Sequence, residues 1–183
     1  MRIIAGEARG HTLYAPQGDQ TRPTSDKLRG SLFNILGARV TDARVLDLFG
    51  GTGALALEAL SRGAKYAVIA DVSMKAVQAI RRNVENVLKD EAKTRVQVLR
   101  ADYRTAIQKA EGPFDLVFLD PPYRMTESYG DALNRLSAAG RLQSGCVIVM
   151  ERARTAVLTL PQGFIQDDVR LYGDTAVEFA RFL

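Results

Sequence analysis

Asp47-Leu48-Phe49-Gly50-Gly51-Thr52-Gly53 is the stretch that decides how this chain folds. The apolar residues at 45–49 predict a buried strand running into it. Gly50, Gly51 and Gly53 then allow a tight turn and a close backbone approach to a ligand. Residues 54–62 follow as a helix carrying Leu55, Leu57, Ala59 and Leu60, and its N-terminus aims free N–H groups at whatever lies on the loop. The next apolar run, 66–70, ends at Asp71, about 20 residues beyond the glycines, where an acid commonly holds a ribose. A glycine-rich turn of some other α/β protein is the plainer reading of the loop alone.

Downstream, Asp120-Pro121-Pro122-Tyr123 closes a further apolar strand at 114–120. Two prolines cannot continue a hydrogen-bonded ladder, so the strand must stop there. A carboxylate, a proline carbonyl and an aromatic ring are thereby left at the carboxyl end of a strand, the edge at which open α/β sheets bind ligands. Two acceptors and a flat ring suit an amino group on a planar base. A bare strand-ending turn would use the same residues. The glycine loop, Asp71 and this tetrapeptide, each at a strand end, make the ligand-binding reading the stronger one.

The remaining pattern alternates strand with helix and implies a mainly parallel sheet. Ser73 caps a helix at 73–88 with an apolar stripe at Ala76, Val77, Ile80, Val84, Val87 and Leu88. Strands follow at 96–100 and 146–151, with a helix at 129–138 between the last two strands of this series. Residues 166–171 and 176–182, joined by Tyr172-Gly173-Asp174, read as an antiparallel hairpin at the sheet edge. The first 40 residues stand outside the alternation. There, 2–5 and 11–15 flank a turn at Gly6 to Gly10 as a hairpin, and Thr24 or Ser25 caps a helix to about Leu36. The expected division is an N-terminal extension at 1–40 and an α/β domain at 41–183.

Taken together, these stretches resemble the class I S-adenosylmethionine-dependent methyltransferases that carry a [DN]PP[YF] signature and methylate amino groups. Met1-Arg2-Ile3-Ile4-Ala5-Gly6, Arg22-Pro23-Thr24-Ser25-Asp26-Lys27, Leu32-Phe33-Asn34 and Asp120-Pro121-Pro122-Tyr123 follow one another as in the ribosomal small-subunit methyltransferase D family. That resemblance runs to the Tyr172-Gly173 turn. It implies a Rossmann-like seven-stranded sheet with helices on both faces, S-adenosylmethionine as methyl donor, no metal, and N2 of a guanine in 16S rRNA as acceptor. It further implies a cytoplasmic monomer acting on the small subunit or an assembly intermediate. The glycine loop reads Gly-Gly-Thr-Gly where relatives often have Ala-Gly-Ser-Gly, and Asp71 stands where they often carry glutamate.

Roles follow residue by residue. Gly50, Gly51 and Gly53 pass close to the cofactor, with Phe49 beside them; Asp47 faces its ammonium and Asp71 its ribose hydroxyls. Val72 packs on the adenine, Asp102 accepts from the adenine amine, and Tyr103 packs nearby. Asp102 has the alternative role of capping a helix from Tyr103. Asp120 and the Pro121 carbonyl hold the acceptor amine; Pro122 keeps the turn and Tyr123 stacks on the base. Arg2, Arg9, Arg22, Lys27 and Arg29 form a basic arm for RNA phosphates, with Thr24 beside Arg22 on the same rim. The bland reading of that arm is a solvated basic face.

Composition agrees with this and narrows the field. The chain has 183 residues, 46% hydrophobic and 25% charged, with net charge +4, as suits a globular protein that can meet a polyanion. One cysteine, Cys146, leaves no internal disulfide framework, and with His11 alone it makes no zinc cluster. Neither a signal-peptide core nor a membrane-length apolar run occurs. Competing readings are a nicotinamide oxidoreductase, since Gly51-x-Gly53-x-x-Ala56 with Asp71 imitates the dinucleotide fingerprint, a DNA adenine N6 methyltransferase, and an idle RNA-binding module.

Overall fold

The computed structural model describes residues 1–15 and 25–183. Its sheet has seven strands in the order β3-β2-β1-β4-β5-β7-β6. These are β1 (Arg44–Asp47), β2 (Tyr66–Asp71), β3 (Val96–Arg100), β4 (Phe114–Leu119), β5 (Leu142–Ala153), β6 (Phe164–Tyr172) and β7 (Thr175–Phe182). The first five are parallel; β7 runs antiparallel between β5 and β6. The anticipated hairpin is therefore present, with β6 as the edge and β7 drawn inside the sheet. Residues 146–151 form only the central part of β5.

Six helices among the described residues connect and cover the strands: α1 (Asp26–Leu36), α2 (Ala54–Ser61), α3 (Met74–Leu88), α4 (Ala92–Arg95), α5 (Tyr103–Lys109) and α6 (Glu127–Ala138). Caps explain where several begin. Ser25 accepts from the Leu28 N–H, Ser73 from Ala76 and Asp102 from Thr105, each satisfying an N–H that the first turn leaves open. Alternation along the strands sends Val45, Leu116, Phe118, Val149 and Phe179 to one face, under α1, α2 and α3. Leu46, Val117, Leu119, Ile148 and Met150 go to the other, under α5 and α6. Cys146 is fully buried in this second core as a packing residue, and burial raises its thiol pKa.

The N-terminal residues form the expected hairpin in a short form. Arg2 and Thr12 make a single antiparallel bridge, and the backbone pairs Ile3 with His11 and Gly10 with Ile3. Leu13 also donates to the Met1 carbonyl at 3.0 Å, and the segment makes further bonds to α2. Glu58, wholly buried on that helix, accepts from the Ile4 and Ala5 N–H groups at 2.8 and 3.1 Å. Ser61 accepts from the Ala8 N–H and donates to the Ala5 carbonyl. Gly6, at φ +85°, lies so close that an added Cβ would meet the Ser61 carbonyl oxygen at 1.8 Å. Asn83 of α3 then grips both ends of Tyr14's backbone and the carbonyl of Thr52 in the glycine loop. The segment is thus tied directly to the loop that β1 feeds.

Arg29 is a correction. It was expected on an exposed basic face, yet its side chain is 0% exposed. Phe33 and Leu32 bring that side of α1 onto the core. Arg29 instead donates to the Arg2 carbonyl and to Asp26, with Glu58 at 3.7 Å. Glu58 also pairs with Arg62 at 2.7 Å. Removing one member of a buried ionic cluster strands the others, at a cost of about 3–5 kcal/mol. We therefore expect Glu58→Ala to lose that much unfolding free energy in chemical denaturation, and a loss below ~1 kcal/mol, typical of an exposed pair, would contradict the assignment.

Candidate active site

Between β1 and β4 the strand order turns from leftward to rightward, so the loops leaving those strands diverge. Such a switch point opens a crevice at the carboxyl edge. The glycine loop stands on one side and Asp120 to Tyr123 on the other. Register aligns Asp47 with Ile69 of β2 and Phe118 of β4.

The glycines are required by geometry. Gly51 and Gly53 have φ of +57° and +80°. A Cβ on Gly50 would meet Ile69 Cγ2 at 2.5 Å. The turn is pinned by Asp71, whose Oδ2 accepts from the Gly51 N–H at 2.9 Å while Oδ1 accepts from Ser73 at 2.8 Å. Asp71 therefore shapes the loop as well as presenting its carboxylate at the crevice. Val72, next to it, is 69% exposed, an unusual position for an apolar side chain on a strand end and a suitable floor for a planar ring. Phe49 packs on the buried ring of Tyr103, centroids 5.7 Å apart, and the Tyr103 hydroxyl donates to Asp131 of α6. Asp102 fulfils its capping role: its Oδ1 accepts from the Thr105 N–H at 2.7 Å, and that bond chiefly lowers its pKa.

Asp47 is buried at the end of β1, where its Oδ1 accepts from the Phe49 N–H at 3.3 Å. Burial lifts its pKa to about 7, against the lowering effect of the Phe49 N–H and with the Asp71 charge adding to the rise. A buried acid of this kind is suited to a cationic partner. The donor set around the loop fits an adenosyl cofactor with an ammonium group: an acid at its base, a second acid at a strand end, an exposed apolar floor and a third acid beyond it.

On the opposite wall, burial again raises the Asp120 pKa well above the ordinary carboxylate range, with the charges of Glu151 and then Asp47 adding to it. Pro121 is buried and Pro122 exposed; the Pro122 carbonyl accepts from the Met125 N–H to close the turn into α6. Tyr123 is 47% exposed, while its hydroxyl bonds Thr175 Oγ1 at 2.9 Å. The β6–β7 turn thereby fixes the ring's orientation. Tyr172 of the same turn bonds Ser31 of α1 at 2.6 Å, which brings the N-terminal helix to this rim.

Of the remaining site residues, Arg2, Arg9 and Lys27 are exposed. Arg22 and Thr24 lie outside the described residues. Thr175, Asn83 and Glu151 were not anticipated. Glu151 looked like the polar end of an apolar strand, and Asn83 like one polar residue on an amphipathic helix. A signal did exist for Glu58, the lone charge in the apolar run Ala54–Ser61.

Comparisons with known proteins agree with this geometry. A family model described as conserved hypothetical protein 95 matches residues 1–181. The chain belongs to that family. Ribosomal RNA small subunit methyltransferase D of Escherichia coli (strain K12) is 31% identical over 177 residues, covering 96% of this chain and 87% of that protein. A Bacillus subtilis (strain 168) protein, YlbH, described as a candidate rRNA methyltransferase, is 41% identical over 127 residues, covering 68% and 67%. The solved Escherichia coli structure of yhhF, described as a candidate methyltransferase, superposes with TM-score 0.87 at 30% identity, covering 100% of this chain and 97% of that one. The Rossmann-like methyltransferase fold and the resemblance to methyltransferase D are thereby borne out. Among the described residues no helix is long and apolar enough to cross a membrane.

Asp47 supplies a test of the site without any ligand. Its folded pKa, about 7, lies above the unfolded value of 3.8, so the folded state holds the proton more tightly. Its contribution is favourable below pH 4 and is lost as pH rises through 7. Asp47→Asn removes the cost of a buried charge, and its melting temperature should gain on wild type progressively between pH 5 and pH 8. A constant difference across that range would show that Asp47 is not held protonated by burial.

Proposed function

We propose that this protein transfers a methyl group from S-adenosylmethionine to the exocyclic N2 amine of a guanine in small-subunit ribosomal RNA. Chemically, the reading rests on the meeting of Asp71 and the glycine loop with Asp120 and Tyr123 across one switch-point crevice. The rRNA substrate follows from the family and from the printed names of its members.

The cofactor supplies an electrophilic methyl group on a positively charged sulfur, so the protein's part is chiefly to align donor and acceptor, worth roughly 7–11 kcal/mol of barrier. Gly50, Gly51 and Gly53 admit the methionine and ribose. Asp47 faces the ammonium, Asp71 the ribose hydroxyls, Val72 the adenine face, and Asp102 the adenine amine. On the acceptor side, the guanine amine is a weak nucleophile because its lone pair is delocalised into the ring. Asp120 and the Pro121 carbonyl accept its two hydrogens and favour the geometry in which the lone pair points at the methyl group. When the nitrogen gains the methyl it must lose a proton, and Asp120 takes it. The raised pKa of that carboxyl suits it to the task. Tyr123, oriented by Thr175, stacks on the base once it is turned out of the RNA.

Arg2, Arg9 and Lys27, exposed on the N-terminal 40 residues, supply phosphate contacts, with Arg22 and Thr24 on the same segment. The extension joins the catalytic domain through α1 and the glycine loop. It acts on the small subunit or an assembly intermediate as a cytoplasmic monomer. A nicotinamide oxidoreductase would leave Asp120, Pro121 and Tyr123 without a task.

Two substitutions separate the halves of the site. Asp71→Ala should weaken S-adenosylhomocysteine binding by roughly ten- to a hundredfold, through lost charged hydrogen bonds and a freed Gly51 N–H. Asp120→Ala should leave that affinity within about threefold, well under 1 kcal/mol, yet abolish methyl transfer to small subunits from a methylase-deficient strain. Calorimetric titration and single-turnover transfer measure the two effects. Full activity of Asp120→Ala, or binding of NAD in place of the homocysteine nucleoside, would overturn the proposal.

A further inference from the structure

The proposed function leaves one charged neighbour of the acceptor site without a role. In the β4–β5 ladder Leu119 stands opposite Met150, and both belong to the core under α5 and α6. The next residues outward are Asp120 and Glu151. Side chains alternate along a strand, so both turn to the opposite face, the one shared with Phe118 and Val149. Asp47, opposite Phe118, lies one step inward on that same face. Glu151 is the leading charge acting on Asp120, ahead of Asp47. Its backbone is held, because Tyr129 of α6 donates to the Glu151 carbonyl at 2.5 Å. Arg152, the adjacent cation, turns to Glu178 at 2.9 Å. The strand thus carries a second carboxylate, partly exposed, beside the one that receives the amine.

Two carboxylates side by side at a binding edge suit a ligand that brings adjacent donors. Guanine's pairing edge does so: N1–H lies next to the N2 amine. Adenine and cytosine each place a bare ring nitrogen, an acceptor, beside their amines. A carboxylate at that position would face a lone pair and repel it. Nothing in Asp-Pro-Pro-Tyr itself makes this distinction, since all three amines satisfy Asp120 and the Pro121 carbonyl equally.

We propose that Glu151 is the residue that selects guanine, its carboxylate accepting the N1–H while Asp120 and Pro121 hold the N2 amine. This rests on the proposed reaction and specifies its base. Sites built around a substrate hydrogen bond reject analogues that lack the donor, because the site's polar group is then left unpaired.

The test uses 2-aminopurine, which keeps the N2 amine but presents a bare N1. Small subunits are reconstituted with 16S rRNA carrying either guanine or 2-aminopurine at the mapped acceptor position. Wild type should methylate 2-aminopurine at least ~100-fold more slowly than guanine. Glu151→Gln, whose amide can donate to N1, should slow on guanine and speed on 2-aminopurine until the ratio lies within about tenfold. Its melting temperature should not fall below wild type, and its S-adenosylhomocysteine affinity should match it. Glu151→Asp, which keeps the charge, should retain the preference and serves if the amide variant fails to fold.

A purely structural role would leave the pH profile unmoved. Asp120 is faced by Asp47 from β1, Glu151 from β5 and Tyr129 from α6. Neutralising Glu151 removes the foremost of the charges that raise Asp120, so the acid limb should move to lower pH. A guanine to 2-aminopurine ratio in Glu151→Gln equal to wild type, with wild type active on guanine, would overturn this inference alone. Failure of wild type to label any guanine would overturn the reaction beneath it as well.

Discussion

The residues that line the candidate crevice take their positions from one topological constraint. β1 and β4 are neighbours, but the chain leaves them toward opposite sides of the sheet. No crossover can cover the gap between two loops that diverge, so the carboxyl edge stays open there. A glycine loop on one lip and a double proline on the other are the local consequences. The first lets backbone approach a ligand; the second stops a strand abruptly so that a carboxylate and a ring stand at its end.

The same edge concentrates negative charge. Asp47 and Asp71 end two strands, Asp120 follows a third and Glu151 lies near the end of the fourth, and burial raises the pKa of Asp47 and Asp120. Acids held this close suit cationic and hydrogen-donating ligands. Elsewhere the molecule resolves its buried charges internally, as in the Arg29–Glu58–Arg62 cluster that fastens the N-terminal segment to α2. That cluster is satisfied within the fold, whereas the acids at the crevice edge are suited to a cationic or hydrogen-donating ligand.

Strand ends and helix caps could be read from the chain because local chemistry determines them. Pro121 and Pro122 must end β4, Ser73 must cap α3, and the glycines must turn after β1. Contacts distant in sequence could not be read. Arg29 on an amphipathic helix looks like any solvated arginine until Glu58, 29 positions on, is seen beneath it. Tyr123 gives no hint that Thr175 orients it, nor Glu151 that β5 lies beside Asp120, since both depend on register between strands. The hairpin at Arg2 and Thr12 was legible, but not its shortness, because the segment also places hydrogen bonds on α2 and α3.

The most direct measurement is a map of modified nucleotides in small-subunit rRNA from a strain lacking this protein, alone and complemented. One N2-methylguanosine should disappear, return with the wild-type chain, and stay absent with Asp120→Ala although that protein is folded and binds cofactor. Loss of a methyl group from an adenine or cytosine, or restoration by Asp120→Ala, would contradict the account.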